Sequence, residues 1–283
     1  MHASLSAVAP SGQGAVDFQE ALMRAPVAIL ATGPDGRVAF VNDELVRLTG
    51  WAREAIIGRR AEDVVPGPTA WRRADGAVFP ATIRRSAVLL DAGGWTVWSI
   101  VDDTERERTE ADLFFRATHD PLTGLANRSL LMDRVRQAIG RLERQGPPLA
   151  VLFVDLDRFK EVNDTRGHHA GDGMLRAVAS AIAEAVRPSD TVARVGGDEF
   201  VVVCEGVSGS AAALELAERV RESVNDATAD ALGSGAGLSV TASVGVALAA
   251  GEAPPGWLVD VADHAMYDAK RAGGDRVVVT TWP

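Results

Sequence analysis

The chain of 283 residues has a net charge of −10 and 47% hydrophobic residues, which suits two modest domains with buried cores. Its negative charge argues against nucleic acid or an anionic membrane as a general partner, because the summed field repels phosphate. The single cysteine, Cys204, excludes an internal disulfide and a zinc cluster of cysteines, and no apolar run is long enough to span a bilayer. These features predict a cytoplasmic protein with no nucleic-acid or membrane partner.

The first predicted domain is a small α+β domain that follows a segment with the composition of a disordered tail. Residues 1–16 are rich in Ala, Ser, Gly and Pro and are expected to be disordered. Hydrophobic patterning and turn residues predict these elements in chain order: a helix over 18–24, strands over 27–31 and 38–42, a helix over 43–49, and strands over 77–90 and 95–101. Asn42 or Asp43 is the expected N-cap of the second helix.

Short sequence runs in this region occur in a characteristic order. They are Ala25-Pro26-Val27-Ala28-Ile29, Asp35-Gly36-Arg37-Val38, Phe40-Val41-Asn42, Leu48-Thr49-Gly50-Trp51, Ile57-Gly58, Arg73-Ala74-Asp75-Gly76 and Asp102-Asp103-Thr104-Glu105-Arg106. In this order they resemble a PAS sensor domain, which we place at residues 17–103. This segment has no histidine or cysteine, so a histidine-held haem and a flavin–cysteine adduct are not expected, and the PAS ligand remains unknown.

A connecting helix is predicted over residues 104–118. Its first half is charged, and its second half carries Leu113, Phe114 and Phe115. The apolar end could pair with a second copy as a short coiled coil, or the helix could lie on its own domain. The pattern alone leaves both arrangements open.

The second predicted domain begins at residue 119 and alternates helices with strands. The predicted elements are, in chain order, a helix over 129–144, a strand over 149–154, a helix over 171–186, strands over 191–195 and 200–204, a helix over 211–224, a strand over 238–247, a helix over 258–271 and a strand over 276–279. This order favours a mainly antiparallel sheet covered by helices, an α+β architecture.

Two acidic segments in this domain are candidates for a metal site. Gly196 and Gly197 precede Asp198 and Glu199 between two apolar runs, which predicts a tight hairpin whose glycines adopt angles forbidden to other residues. Asp155 directly follows the strand predicted over 149–154. If the two segments are neighbours, Asp155 and Asp198 form a two-carboxylate magnesium site. Taken alone, an Asp at a strand end is more often a turn former or a helix cap.

Longer motifs surround these acids. They are Asp120-Pro121-Leu122-Thr123-Gly124-Leu125-Ala126-Asn127-Arg128, then Asp155, Lys160, Asn163-Asp164-Thr165, Gly167-His168 and Gly171-Asp172, then Gly196-Gly197-Asp198-Glu199-Phe200. In this order and spacing they resemble the GGDEF family of diguanylate cyclases over about residues 116–283. The resemblance implies a palm-like, ferredoxin-type core at 119–283, similar to nucleotidyl cyclases, behind a signalling helix at 104–118. It also implies that two GTP are condensed to cyclic di-GMP and two pyrophosphate by a PAS-regulated homodimer.

The resemblance assigns a role to each acid of the metal site. Asp155, the backbone carbonyl of Leu156 and Asp198 would hold Mg²⁺ (or Mn²⁺). Glu199 would bind the metal or help to deprotonate the attacking 3′-hydroxyl, and Lys160 falls at a triphosphate-contacting position. Lys160 is one of only two lysines beside 27 arginines, so a compact ammonium at this place supports the assignment.

The resemblance also assigns the residues that bind the nucleotide. Asn163 and Asp172 would read guanine, since a carboxylate accepts from the adjacent N1–H and N2–H₂ donors and thereby favours GTP over ATP. The competing interpretation of Asp172 is an N-cap of the helix that follows. The second lysine, Lys270, falls at the other triphosphate position. Many members of the family carry an arginine where this chain has Gly274, which leaves Arg271 or Arg276 to compensate.

The segment Arg187-Pro188-Ser189-Asp190 stands at a fixed distance before the glycine turn. It resembles the inhibitory product site of the family, in which Arg187 and Asp190 bind cyclic di-GMP. The competing interpretation is a surface ion pair in a loop. Two other functions stay open for the whole chain, a catalytically silent receptor for cyclic di-GMP or GTP and a PAS-mediated dimerisation scaffold. The intact Asp198-Glu199 pair favours the enzyme.

Overall fold

The computed structural model describes residues 20–281 except 66, 68–69, 91–92, 145–146, 234–237 and 250–255. The chain divides into two compact units, one that ends at Asp112 and one that begins at Leu113. The predicted disordered segment 1–16 lies outside the described residues. Of the first predicted helix, residues 20–23 are described and are helical.

The first unit is built on an antiparallel sheet of five strands with the order β2-β1-β5-β4-β3. Its elements are β1 (Ala28–Thr32), β2 (Val38–Val41), α1 (Asp43–Thr49), α2 (Arg53–Ile56), α3 (Ala61–Val64), β3 (Ala70–Arg72), β4 (Val78–Leu90) and β5 (Gly93–Asp102). The two long strands predicted from the sequence are β4 and β5, and β5 pairs over its whole length with residues 81–90 of β4.

Asn42 fixes the start of α1, as one of the two predicted caps. Its side-chain oxygen accepts a hydrogen bond from Leu45 N at 3.0 Å, and the residue is fully buried. The same oxygen accepts from Ile29 N, and the amide nitrogen donates to Val27 O at 2.8 Å. The buried Asn42 side chain therefore links the start of α1 to β1. It also pairs backbone donors that burial would otherwise leave without a hydrogen bond.

The helix predicted over 104–118 is present with those bounds as α4 (Thr104–Thr118). None of its residues is buried, and the side chains of Leu113 and Phe114 are 61% and 69% exposed. Within the described chain, its apolar end is therefore largely uncovered. Across that same part of the chain, no helix has both the length and the apolar composition that crossing a membrane requires.

The second unit is a five-stranded sheet of order β10-β9-β6-β8-β7 with helices on both faces. Its elements are α5 (Arg128–Leu142), β6 (Leu149–Asp157), α6 (Phe159–Arg166), α7 (His168–Ala185), β7 (Thr191–Arg194), β8 (Glu199–Glu205), α8 (Gly209–Leu232), β9 (Thr241–Ala249), α9 (Trp257–Arg271) and β10 (Val277–Thr281). The central strand β6 pairs antiparallel with β8 and β9, and β10 joins β9 in parallel. This is the α+β architecture expected from the sequence.

Alternation along β6 decides which way its acidic end faces. Ala150, Leu152 and Val154 pack in the cluster formed with α7 and α8. Leu149, Val151 and Phe153 pack in the cluster formed with α5 and α9. Because side chains of a strand alternate between faces, Asp155 continues the second series and lies on the α9 side of the sheet.

Gly245 on β9 brings α9 into direct contact with the sheet. A Cβ added at this position would lie 2.1 Å from both Ala262 O and Met266 N, which are backbone atoms of the helix. Only a glycine allows so close an approach. The C-terminal end of α9 is thereby carried toward the end of β6, where the acidic residues lie.

Candidate active site

The two acidic segments, whose proximity the sequence analysis left as a condition, do lie side by side. In the β6–β8 ladder Asp155 is directly opposite Glu199, and Leu156 N donates to Asp198 O at 3.3 Å. Directly opposite residues of antiparallel strands project their side chains to the same face. Three carboxylates therefore gather where β6 ends and the β7–β8 hairpin turns.

The glycines of the hairpin act differently from the expectation. Neither Gly196 nor Gly197 has a positive φ, so the prediction that both adopt forbidden angles is wrong. A Cβ at Gly196 would lie 2.2 Å from Glu199 Oε2, whereas a Cβ at Gly197 would meet open space. The Glu199 carboxylate thus lies over the turn where a side chain at Gly196 would be, so a larger residue there would displace it.

Asp155 is the most deeply buried acid of the site, with 7% of its surface exposed. Burial raises the pKa of its carboxyl to about 6, the Lys270 ammonium opposes that rise, and the charges of Asp198 and Glu199 add to it. The Lys270 ammonium, from the last turn of α9, contacts Asp155 Oδ1. The site is therefore a cluster of like charges held together around one cation.

The donor set suits a magnesium ion shared with substrate. Among the described residues, Asp155 Oδ1 is a buried oxygen without a hydrogen bond of normal geometry, and an ammonium cation sits against it. No three His, Cys, Asp or Glu side chains of the described chain enclose a metal by themselves. Magnesium is typically held by one or two carboxylates and completed by substrate phosphates and water, so this incomplete shell fits it.

Two residues that hold the hairpin were not predicted as site residues. Arg194 Nη1 donates to Asp120 Oδ1 and Oδ2 at 3.0 and 3.2 Å, and Arg194 Nη2 donates to Gly197 O at 2.7 Å. The side chains of Arg194 and Asp120 are only 12% and 18% exposed. Burial alone would raise the pKa of Asp120, but hydrogen bonds from Thr123 and Arg194 hold it below its ordinary value. The sequence signal was the position of Asp120 in the motif at 120–128, whereas Arg194 lies two residues before the glycine turn.

The two predicted guanine-reading residues lie on successive helices. Asn163 is on α6 and Asp172 is on α7, and both are partly buried. A Cβ at Gly171 would lie 2.1 Å from Asn163 Oδ1, so the Asn163 side chain rests against the residue that precedes Asp172. Since α7 begins at His168, Asp172 lies inside the helix and the interpretation of Asp172 as an N-cap is wrong.

The predicted phosphate-binding cations come from two different helices. Lys160 is exposed in the first turn of α6, two residues after Arg158, the left-handed residue that follows β6. Lys270 and Arg271 end α9, where Lys270 reaches Asp155 and Arg271 is exposed. The structure thus brings Lys270 into the acidic cluster and leaves Lys160 and Arg271 facing solvent.

Arg187 and Asp190 lie in the loop before β7, at the other end of that strand from the glycine turn. Asp190 Oδ2 accepts from Arg187 N, and Asp190 N donates to Arg187 O, both at 2.9 Å. Their mutual hydrogen bonds therefore involve the backbone of Arg187. Both residues line a cavity of about 240 Å³ whose wall also contains Arg219 and the buried Cys204, where burial raises the pKa of the thiol.

Family comparisons agree with this architecture. The sequence profile of the GGDEF family, described as "Diguanylate cyclase, GGDEF domain", matches residues 117–276. The profile of the PAS fold matches residues 17–95. The first match lies in the unit with the acidic cluster, and the second lies in the unit built on the antiparallel sheet.

A curated relative is similar over part of the chain. Diguanylate cyclase DosC of Escherichia coli K12 is 42% identical over 158 residues, which are 56% of this chain and 34% of DosC. The chain thus spans about a third of the length of that relative.

Two solved structures are similar in fold. One is the coiled coil and GGDEF domain of DgcB from Caulobacter crescentus in complex with c-di-GMP, with a TM-score of 0.55 and 31% identity over 63% of this chain and 94% of that one. The other is diguanylate cyclase SiaD of Pseudomonas aeruginosa with its activator SiaC, with a TM-score of 0.52 and 36% identity over 62% and 67% of the two chains. With the GGDEF profile matching more than half of its length, the chain belongs to the GGDEF family, and a PAS fold precedes its GGDEF domain.

Proposed function

We propose that this protein is a diguanylate cyclase that condenses two GTP to cyclic di-GMP and two pyrophosphate. The observation that carries the proposal is the β6–β8 register, which sets Asp155 opposite Glu199 with the Lys270 ammonium at the same carboxylate. Relatives described as diguanylate cyclases support it. The adjacent Asp198 and Glu199 on the turn favour an enzyme over a silent receptor.

Asp155, Asp198 and the Leu156 carbonyl would hold Mg²⁺ (or Mn²⁺). A bound ion would offset charge on the α-phosphate and lower the pKa of the 3′-hydroxyl. The pKa of Asp155, raised by burial to about 6, leaves this carboxylate ionised at neutral pH and ready for a cation. Glu199 lies directly across the ladder and is the candidate to hold the metal or to accept the hydroxyl proton.

GTP would lie between the acidic cluster and the helices α6 and α7. Lys160, Lys270 and Arg271 would contact the triphosphate. Asn163 and Asp172 would accept from the guanine edge, since a carboxylate complements two adjacent donors. The partly buried position of Asp172 inside α7 supports a binding role, because a helix-interior Asp does not serve as a cap.

The reaction needs two copies of this site. Each chain binds one GTP, and the 3′-oxygen of each nucleotide attacks the α-phosphorus of the other. A new P–O bond forms, the bond to the bridging oxygen breaks, and pyrophosphate leaves while Glu199 or water takes the proton. We therefore propose a homodimer, with a PAS sensor at 17–103 and a signalling helix at 104–118 that aligns two GGDEF domains at 119–283.

Product inhibition is proposed at Arg187 and Asp190. They border a cavity of about 240 Å³ at the far end of β7 from the turn, so a ligand there would leave the acidic cluster open. The Asp190 carboxylate accepts its hydrogen bond from the Arg187 backbone and not from the Arg187 guanidinium. An arginine available in this way suits a guanine or phosphate ligand.

The test is product formation from GTP and Mg²⁺ by the purified full chain. We expect cyclic di-GMP and pyrophosphate, and we expect Glu199→Gln to lower kcat by about 100-fold or more. Glu184→Gln, on the exposed end of α7, is the matched control and should leave kcat unchanged. A folded wild-type protein that binds GTP or cyclic di-GMP but makes no product would reject the enzyme in favour of the silent receptor.

A further inference from the structure

Asp157 is an acid of the same strand that the proposed function does not use. It ends β6 and lies on the same face as Asp155. Its Oδ1 accepts from Ser243 Oγ at 2.8 Å, and its Oδ2 accepts from Thr241 Oγ1 at 2.9 Å. Both donors are on β9, the strand that pairs with β6 there.

A third donor reaches Asp157 from the connection between α9 and β10. Asp275 N donates to Asp157 Oδ2 at 3.0 Å. Gly273, Gly274 and Asp275 have φ angles of +117°, +73° and +46°, so three consecutive residues adopt the left-handed region. The backbone passes so close that a Cβ at Gly274 would lie 3.0 Å from Asp157 Oδ2.

The same connection is held from its other side by α8. The Asp275 carboxylate accepts from Arg221 Nη1 at 2.5 Å and from Asn225 Nδ2 at 2.7 Å. Asn225 Oδ1 in turn accepts from Ala242 N at 3.0 Å. A backbone conformation that non-glycine residues rarely adopt is thus fixed by hydrogen bonds from two elements.

This connection closes the end of the helix that carries Lys270. Gly273 N donates to Lys270 O at 3.0 Å, and Gly274 N donates to Ala269 O at 3.1 Å. The chain of contacts therefore runs from Asp157 through the Asp275 amide to the last turn of α9. A shift of this connection would move the Lys270 side chain relative to Asp155.

We propose that Asp157 is a positioning residue that sets the place of Lys270 and Arg271 in the GTP site, and that it is not a metal ligand. The inference rests on the proposed function, since it concerns the binding of GTP phosphates. An acid two residues after Asp155 would ordinarily suggest a further metal ligand. Its two oxygens instead accept from the three donors Ser243, Thr241 and Asp275.

The test compares Asp157→Asn with Asp157→Ala by calorimetric titration of a GTP analogue with a methylene α–β bridge, in the presence of Mg²⁺. Asparagine can keep all three contacts, with its oxygen toward Thr241 and Asp275 and its NH₂ toward Ser243 Oγ. We expect Asp157→Asn to bind the analogue like the wild type and Asp157→Ala to bind it about 10- to 100-fold more weakly. A metal ligand whose negative charge is needed would lose binding in Asp157→Asn as well as in Asp157→Ala, and weak binding by Asp157→Asn would overturn the proposal.

A double-mutant cycle shows whether the effect passes through the cations. In a Lys270→Ala/Arg271→Ala background, Asp157→Ala should weaken analogue binding by less than about twofold. If Asp157→Ala lowers the affinity for the analogue as much in that background as in the wild type, the proposal is overturned.

If Asp157→Ala does not fold, Asp275→Ala frees the connection from α8 and must also weaken binding of the analogue. No binding by the wild type would overturn the proposed function together with this inference, whereas equal affinities of wild type and Asp157→Ala would overturn the inference alone.

Discussion

Asp155 combines deep burial with two neighbouring negative charges, and its protonation is therefore linked to folding. Burial raises the pKa of the folded-state carboxyl from 3.8 to about 6. Between these two values the native state holds a proton that the unfolded state has released, so the free energy of unfolding falls as the pH rises through this window. Above about pH 6 the fold carries the full destabilisation of an ionised, buried carboxylate.

Asp155→Asn should therefore stabilise the protein while it abolishes turnover. We expect the free energy of unfolding at neutral pH to rise by about 1 to 3 kcal/mol, since one unit of pKa corresponds to about 1.4 kcal/mol. The variant also leaves Lys270 without its anion, which reduces the gain. Urea denaturation at neutral pH and near pH 4 measures this, and the gain should vanish at the acidic pH. Asp230→Asn, exposed on α8, is the control. A less stable variant at neutral pH would contradict the argument.

The β7–β8 hairpin depends on the segment that follows α4. Ala126 N donates to Val192 O and Arg194 N donates to Ala126 O, so this segment pairs with β7. Asp120, in the same segment, binds the Arg194 guanidinium, which also binds Gly197 O. The turn that carries Asp198 and Glu199, the proposed catalytic acids, is thereby fixed to the residues directly after the connecting helix.

Arg194→Ala should loosen the hairpin and leave α6 and α7, the helices proposed to bind GTP, in place. We expect kcat to fall by about tenfold or more, because Asp198 and Glu199 belong to the turn, and KM for GTP to change much less. Steady-state kinetics of pyrophosphate release gives both constants. Arg128→Ala, an exposed arginine at the start of α5, is the matched control. Equal losses in both variants, or a change in KM alone, would contradict a role in holding the turn.

Local patterns predicted most helices and strands, and the misses have physical reasons. The helix α1 and its cap Asn42 follow from capping residues and apolar spacing. The start of α7 at His168 was missed because Gly171 lowers helix propensity. In the structure a Cβ at Gly171 would lie 2.1 Å from Asn163 Oδ1, a contact that the sequence pattern does not reveal. Helix α6 was also not predicted, since it is short and polar.

The candidate site was predictable only where its residues lie in local motifs. The acids at the end of β6 and on the β7–β8 turn could be identified from the sequence. Their proximity depends on the order of the strands in the sheet, which hydrophobic periodicity does not reveal. The contacts of Asp120 with Arg194 and of Asp157 with Asp275 join residues 74 and 118 positions apart. Such contacts come from the tertiary fold, so the pattern of the sequence alone gave no reason to select Asp157.

At the scale of the whole molecule, one chain presents half of the proposed reaction. The acidic cluster and the cations belong to one GTP, and a second nucleotide must come from another copy. The apolar end of α4, with Leu113 and Phe114 exposed, is a surface through which two copies can pair. The rate should then depend on how many chains are paired, and the site itself should be complete for binding in the single chain.

Initial rates of cyclic di-GMP formation should therefore rise with the square of protein concentration in dilute solution and become linear once dimers dominate. Phe114→Asp should shift this change to higher protein concentration, because a charge opposes burial of the helix pair, and it should leave the affinity for the methylene-bridged GTP analogue unchanged. Leu214→Asp, on another exposed apolar position in α8, is the matched control. Sedimentation at the same concentrations measures the dimer directly. A specific activity that stays constant down to the lowest concentration, in a protein that sediments as a monomer, would show that one chain completes the reaction without a partner.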